Sequence, residues 1–111
     1  MGEEDRIQQE CFIWFWNTYK DMRKCLFAVP NGGKRDGRTA KIMKATGTVS
    51  GVSDLILLYN GSAYCLEAKT SKGRQSTNQL KWQEIVEKQN IDYYIFRSLE
   101  EFKVIIKRII K

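Results

Sequence analysis

Asn60-Gly61, set between DLILLY and SAYCLEAK, constrains this chain more than any other pair of residues. Both flanking runs are strand-forming, and Asn-Gly is the preferred dipeptide for a two-residue hairpin turn, whose central residues need positive φ. A tight turn there also sets the register. Tyr59 pairs with Ser62, and stepping outward brings Asp54 directly opposite Glu67. Opposed residues of an antiparallel pair point to one face, with Cβ atoms roughly 4.5–5.5 Å apart. Lys69 lies two residues beyond Glu67, and the two-residue strand period places it on that face as well. A largely apolar hairpin therefore brings three ionisable groups together at its open end.

Two carboxylates at that separation repel unless something lies between them. Two occupants fit. One is a divalent cation, and a site built from oxygen ligands favours Mg²⁺ or Mn²⁺ over zinc. The other is Lys69 itself, neutralising one carboxylate in a structural ion pair. Glu67 is the harder residue to explain without a partner, because Tyr64, Cys65, Leu66 and Ala68 around it are apolar and a lone buried carboxylate is costly. The chain contains no histidine, which removes Ser-His-Asp and Cys-His nucleophile systems and every zinc site that needs imidazole.

The remaining pattern places the hairpin in an α/β frame. Residues from about Glu4 to Met22 read as a helix, with Ile7, Cys11, Trp14, Phe15 and Met22 along one stripe. CLFAV before Pro30 reads as a short strand, and NGGKRDG as a loop. Arg38 to Ala45 reads as a helix ended at Gly47. SKGRQ is a loop leading into a helix over 76–89 that opens with capping-box spacing, Ser76 to Gln79. DYYIFR is a strand, and Ser98 with Glu101 opens a closing helix whose Leu99, Phe102, Ile105, Ile106, Ile109 and Ile110 share a face. The expected architecture is a mixed β-sheet flanked by helices in the order α-β-α-β-β-α-β-α, one domain over 1–111.

Nineteen Lys and Arg against thirteen acidic residues give a net charge of +6, which favours a polyanionic partner such as nucleic acid. Lys34, Arg35, Arg38, Lys41 and Lys44 form one candidate DNA-contacting stripe, and Lys72 with Arg74 a second; a solvated face is the competing reading of each. Cys11, Cys25 and Cys65 form no CxxC pair and sit in apolar runs, so buried reduced thiols in a cytosolic protein are expected. The polar start, MGEEDRIQQE, is unlike a signal peptide, and the longest apolar run, FIWFW, is far short of a membrane span of about 20 residues. The aromatic girdle of the first helix (Phe12, Trp14, Phe15, Trp16, Tyr19) exceeds what one sheet face needs, which points to a homodimer interface.

Asp54, a strand, then Glu67-Ala68-Lys69 resembles the PD-(D/E)XK nuclease superfamily. The longer string NGGKR, GVSDLILL, LEAK and QLKWQ resembles the VRR-NUC (virus-type replication-repair nuclease) family in particular, over nearly the whole chain. The resemblance implies the restriction-endonuclease-like core and a metal-dependent endonuclease using Mg²⁺ or Mn²⁺. It implies Asp54 and Glu67 as metal ligands, with the Ala68 carbonyl as a further oxygen and Glu10 as the acidic residue from the first helix. Lys69 would orient or help deprotonate the attacking water, and Gln79 would lie near the metal waters. Gln79 also completes a capping box with no catalysis required, and Glu10 is equally an ordinary polar flank. Ser53 departs from the superfamily pattern, which often has proline there. Stand-alone members of the family are similar to homodimers that act on branched DNA, including four-way junctions, and that substrate and assembly are what the resemblance implies here. A general endonuclease on linear DNA and a non-catalytic basic DNA-binding module remain the alternatives.

Overall fold

Among the described residues four strands form a single mixed sheet in the order β1-β2-β3-β4, with β1 spanning Leu26–Ala28, β2 Leu55–Tyr59, β3 Ser62–Ala68 and β4 Asp92–Phe96. Four α-helices accompany them: α1 (Glu3–Thr18), α2 (Gly37–Ala45), α3 (Thr77–Glu87) and α4 (Leu99–Ile109). The computed structural model describes residues 1–30 and 37–111. The loop expected over Asn31, Gly32 and Gly33, with the candidate DNA contacts Lys34 and Arg35, lies outside the described residues. The element order is the one expected from the sequence, with a 3-10 helix (Lys20–Cys25) added after α1.

The hairpin forms in the expected register. Tyr59 pairs with Ser62, and the ladder runs out to Leu55 opposite Leu66. Asn60 and Gly61 both have positive φ, 50° and 81°, as a two-residue turn of this kind requires. β1 is antiparallel to β2, whereas β3 and β4 are parallel, so α3 is the crossover between them.

Alternation along the strands sorts side chains to two faces. Leu26, Leu55, Leu57, Leu66, Ala68 and Phe96 meet Cys11 and Phe15 of α1 and the Phe102, Ile105, Ile106 and Ile109 face of α4. Each fully buried Leu or Phe here contributes about 1.5–3 kcal/mol. The other face carries a smaller cluster, Cys65 and Tyr93 under Val86 of α3, with Trp82 and Ile56 beside them. α3 covers the β3–β4 side; towards β1, Phe27 and Leu58 are exposed.

Two expectations change. The apolar pattern carries the first helix to Met22, but it ends at Thr18 and the chain winds on as a 3-10 helix. Tyr19, Met22 and Cys25 pack against the core at a spacing of three, which is the 3-10 period, not the α one. The aromatic girdle is also largely used within the fold. Phe15 is buried, Phe12, Trp14 and Tyr19 are half-buried, and Trp14 meets Tyr19 and Phe102 edge-on. Trp16, with Ile13, is the part left exposed. No described helix is long and apolar enough to cross a membrane.

Candidate active site

Asp54 immediately precedes β2, and its backbone carbonyl accepts from Val29 N at 2.9 Å, which ties it to β1. Its side chain reaches across the hairpin, where Oδ2 accepts from Ala68 N at 2.8 Å. Glu67 is the next-to-last residue of β3 and Lys69 follows the strand, held by Lys69 N donating to Phe96 O at 3.0 Å. The three charges thus converge as the register requires. Glu67 has 0 % of its surface exposed and Lys69 5 %.

The third element is the amino end of α3. Ser76 caps that helix: its hydroxyl accepts from Gln79 N at 3.2 Å, and Gln79 Oε1 accepts from Ser76 N at 2.8 Å. The same side-chain oxygen accepts from Lys69 Nζ at 2.9 Å, while Gln79 Nε2 donates to Glu67 Oε2 at 2.8 Å. Lys69 Nζ lies 3.2 Å from Glu67 Oε2. Gln79 therefore completes the capping box and bridges Lys69 and Glu67 with a single amide. The structural ion pair and the carboxylate pair coexist as well, because Lys69 engages only Oε2. Among the described residues Glu67 Oε1 is buried with no hydrogen-bond partner, an arrangement that costs about 1–3 kcal/mol unless a ligand supplies the partner.

The fourth element is the first turn of α1. One carboxylate oxygen from each of Glu4, Asp54 and Glu67 lies within 4.8 Å of the others. Glu10, the acidic residue that the resemblance implies from the first helix, is exposed and is not in that cluster. The reason is helical phase: Glu4, Cys11 and Phe15 fall on one line of the helix, and the latter two are the buried residues of α1. Glu10 precedes Cys11 by one residue and so points about 100° away. Carrying the Cys11–Phe15 stripe back two turns would have found Glu4 in the sequence.

The electrostatics follow from burial and crowding. Burial, reinforced by the Asp54 charge, pushes Glu67 up to about 8, against the opposing pull of Lys69. Burial raises Asp54 too, although the Ala68 N–H works against it, and burial likewise raises Glu4. Three carboxylates facing one ammonium, with one buried oxygen unpartnered, form a donor set that fits a hard divalent cation.

Around this centre the candidate cations take two positions. Lys72 and Arg74 are exposed in the loop between β3 and α3. That loop is fixed by Arg97, a residue the sequence reading did not single out: its Nη1 donates to Thr70 O at 2.6 Å and Gly73 O at 2.8 Å. Arg38, Lys41 and Lys44 are exposed on α2. The segment after α2 is held close to the site, since Asn78 Nδ2 donates to Ser50 Oγ at 2.9 Å. Gly51, with φ 87°, packs so tightly on the Asn78 backbone that a Cβ there would collide with it. Ser53, at the position where proline is common in the superfamily pattern, is buried and its Oγ donates to Leu55 O at 3.1 Å.

No family model matches the chain, and no curated protein matches it. Among solved structures it is similar to one described as a "VRR_NUC domain protein", with a TM-score of 0.79 over 99% of this chain and 89% of that one, at 18% sequence identity. At that identity the likeness carries the fold. The chain has a VRR_NUC-type nuclease-domain fold, the fold implied by the sequence resemblance.

Proposed function

We propose that this chain is a metal-dependent DNA endonuclease that hydrolyses phosphodiester bonds, selective for branched DNA such as four-way junctions. The observation that carries the reading is the convergence of Glu4, Asp54 and Glu67 beside the buried Lys69, with Glu67 Oε1 left unpartnered. These carboxylates, with the Ala68 carbonyl as a further oxygen, would hold Mg²⁺ or Mn²⁺, which would supply Lewis-acid activation of water and of the scissile phosphate. The chain's own residues orient the reaction. Lys69 holds the attacking water and offsets charge on the phosphorane-like transition state. Gln79 keeps the Lys69 ammonium and the Glu67 carboxylate in fixed relation through its two bonds.

The substrate reading rests on charge and on the fold. The net charge of +6 favours a polyanion. Arg38, Lys41 and Lys44 on α2, Lys72 and Arg74 on the β3–α3 loop, and Lys34 and Arg35 contact the phosphates. The assembly is a homodimer, whose two sites suit paired incisions across a junction; sedimentation as a 13 kDa monomer at micromolar concentration would count against it. The likeness to a VRR_NUC domain protein supports nuclease chemistry.

The test is cleavage of a labelled four-way junction and a matched linear duplex in Mn²⁺, Mg²⁺ and EDTA, with Lys69→Ala in parallel. Metal-dependent junction cutting that is lost in the variant supports the whole reading. Equal cutting of both DNAs keeps the nuclease and removes junction selectivity. Binding without cleavage in any metal returns the chain to a DNA-binding module.

A further inference from the structure

Among the described α-helices α2 stands apart in having no buried residue. Its sequence, GRTAKIMKA, carries no acid, and Arg38, Lys41 and Lys44 are exposed. Among these cations stands Ile42, 54 % exposed. Arg38 and Ile42 are i,i+4 neighbours on the helix surface, and Lys41 lies beside them on the same side. A large aliphatic side chain is thus held in the open at the centre of a cationic face.

The position of α2 is tied to the site. The helix ends against Gly47, φ 109°, with Thr48 N donating to Met43 O at 2.8 Å. Four residues lie between Ala45 and Ser50, and the five steps of chain span at most about 18 Å. Ser50 is bonded to Asn78, and the next residue, Gln79, bonds Glu67. One helical turn of DNA spans roughly 34 Å, more than the length of that tether.

We infer that Ile42 is a wedge that enters a DNA base step while Arg38 and Lys41 hold the flanking phosphates, so that α2 selects branched over linear DNA. The inference rests on the branched-DNA reading above and adds the residue that makes the selection. Its physical basis is charge complementarity around an exposed apolar tip. Apolar side chains inserted between base steps unstack them at a cost, and that cost is least where stacking is already interrupted, as at a branch. Carboxylates and a lysine that meet only a phosphate do not make that distinction; phosphate contacts carry no information about base stacking.

The test uses the full chain with Ca²⁺ replacing Mg²⁺, comparing wild type, Ile42→Ala, Ile42→Leu and Lys41→Ala. Each is titrated on a four-way junction and a matched linear duplex at two salt concentrations, with 2-aminopurine at the branch-point steps of the junction. Alanine raises helix propensity, so Ile42→Ala does not weaken α2; circular dichroism and melting confirm this for each variant. Ile42→Ala is expected to bind the junction about tenfold more weakly, bind linear duplex as wild type does, keep the salt slope and lose the 2-aminopurine fluorescence increase. Ile42→Leu restores all of these. Lys41→Ala weakens both DNAs alike and lowers the salt slope by about one. Equal junction binding by Ile42→Ala and wild type, an equal loss on both DNAs, or no fluorescence increase with wild type would each overturn the wedge. Cleavage is read separately on the same proteins, so the nuclease reading and the wedge stand or fall on different measurements.

Discussion

Under α1 and α4 the sheet buries Leu55, Leu57, Leu66 and Phe96 against Phe15, Phe102 and Ile106 in one apolar cluster. One residue beyond the Leu55–Leu66 pair of β2 and β3 it buries Glu67 with Lys69 and sets them beside Asp54 and Glu4. α1 serves both regions from one stripe: Cys11 and Phe15 enter the apolar layer, and Glu4, two turns earlier, enters the charged one. The first region lowers the free energy of the fold through removal of apolar surface from water. The second raises it, because carboxylates are crowded and one oxygen has no partner. Stability and reactivity should therefore respond to different substitutions, although the two regions are adjacent.

The strongest way to break this division is Phe102→Ala. It should cost about 3–5 kcal/mol, much of the stability of a small domain. Cleavage should fall only with the folded fraction, checked by denaturant melts and by activity at low temperature. Lys69→Ala should lower cleavage per folded molecule about 10²–10³-fold, beyond whatever stability is lost with the buried ion pair. A Lys69 variant that unfolded while remaining active per folded molecule would dissolve the comparison.

Glu67→Gln sharpens it. Glu67 is raised from its ordinary value of 4.5 to about 8 in the fold. Between those values the folded state binds more protons than the unfolded one, so the contribution is fully present below pH 4.5 and lost as pH rises through 8. Metal-free protein in EDTA should therefore melt lower as pH rises across that window, and saturating Mn²⁺ should flatten the dependence. Glu67→Gln should remove most of the slope and raise stability at pH 8 by about 1 kcal/mol, roughly 4–8 °C. A wild-type melting temperature that is level with pH in EDTA would remove the repulsion from the account. The smallest effect separates the two roles of Gln79: Ser76→Ala should cost about 1 kcal/mol of stability and leave the cleavage rate of folded protein unchanged. Gln79→Ala should lose the cap and slow cleavage as well.

The hairpin was legible because its turn is local: Asn60-Gly61 alone fixes which residues of the two strands oppose, and the charges follow by counting. The closing helix was legible through its unbroken apolar face. Ser98 does accept from Glu101 N, but the Glu101 carboxylate takes Arg97 N in place of the Ser98 N–H of a full capping box. The sequence misled at α1, where Phe12, Trp14 and Trp16 widen the apolar surface and blur its phase. That blurring drew attention to Glu10 beside Trp14 and away from Glu4, whose place in an acidic first turn is already favourable for the helix dipole. Arg97 was not legible at all, because its partners are backbone carbonyls of a loop more than twenty residues away in sequence.

The most direct measurement is calorimetric titration of Mn²⁺ into wild type, Glu4→Gln and Glu10→Gln at pH 8. Wild type and Glu10→Gln should bind with equal affinity, and Glu4→Gln should bind about tenfold more weakly or worse. Loss of Mn²⁺ affinity in Glu10→Gln with Glu4→Gln unaffected, or no Mn²⁺ binding by wild type, would contradict the assignment of Glu4, Asp54 and Glu67 as the metal centre.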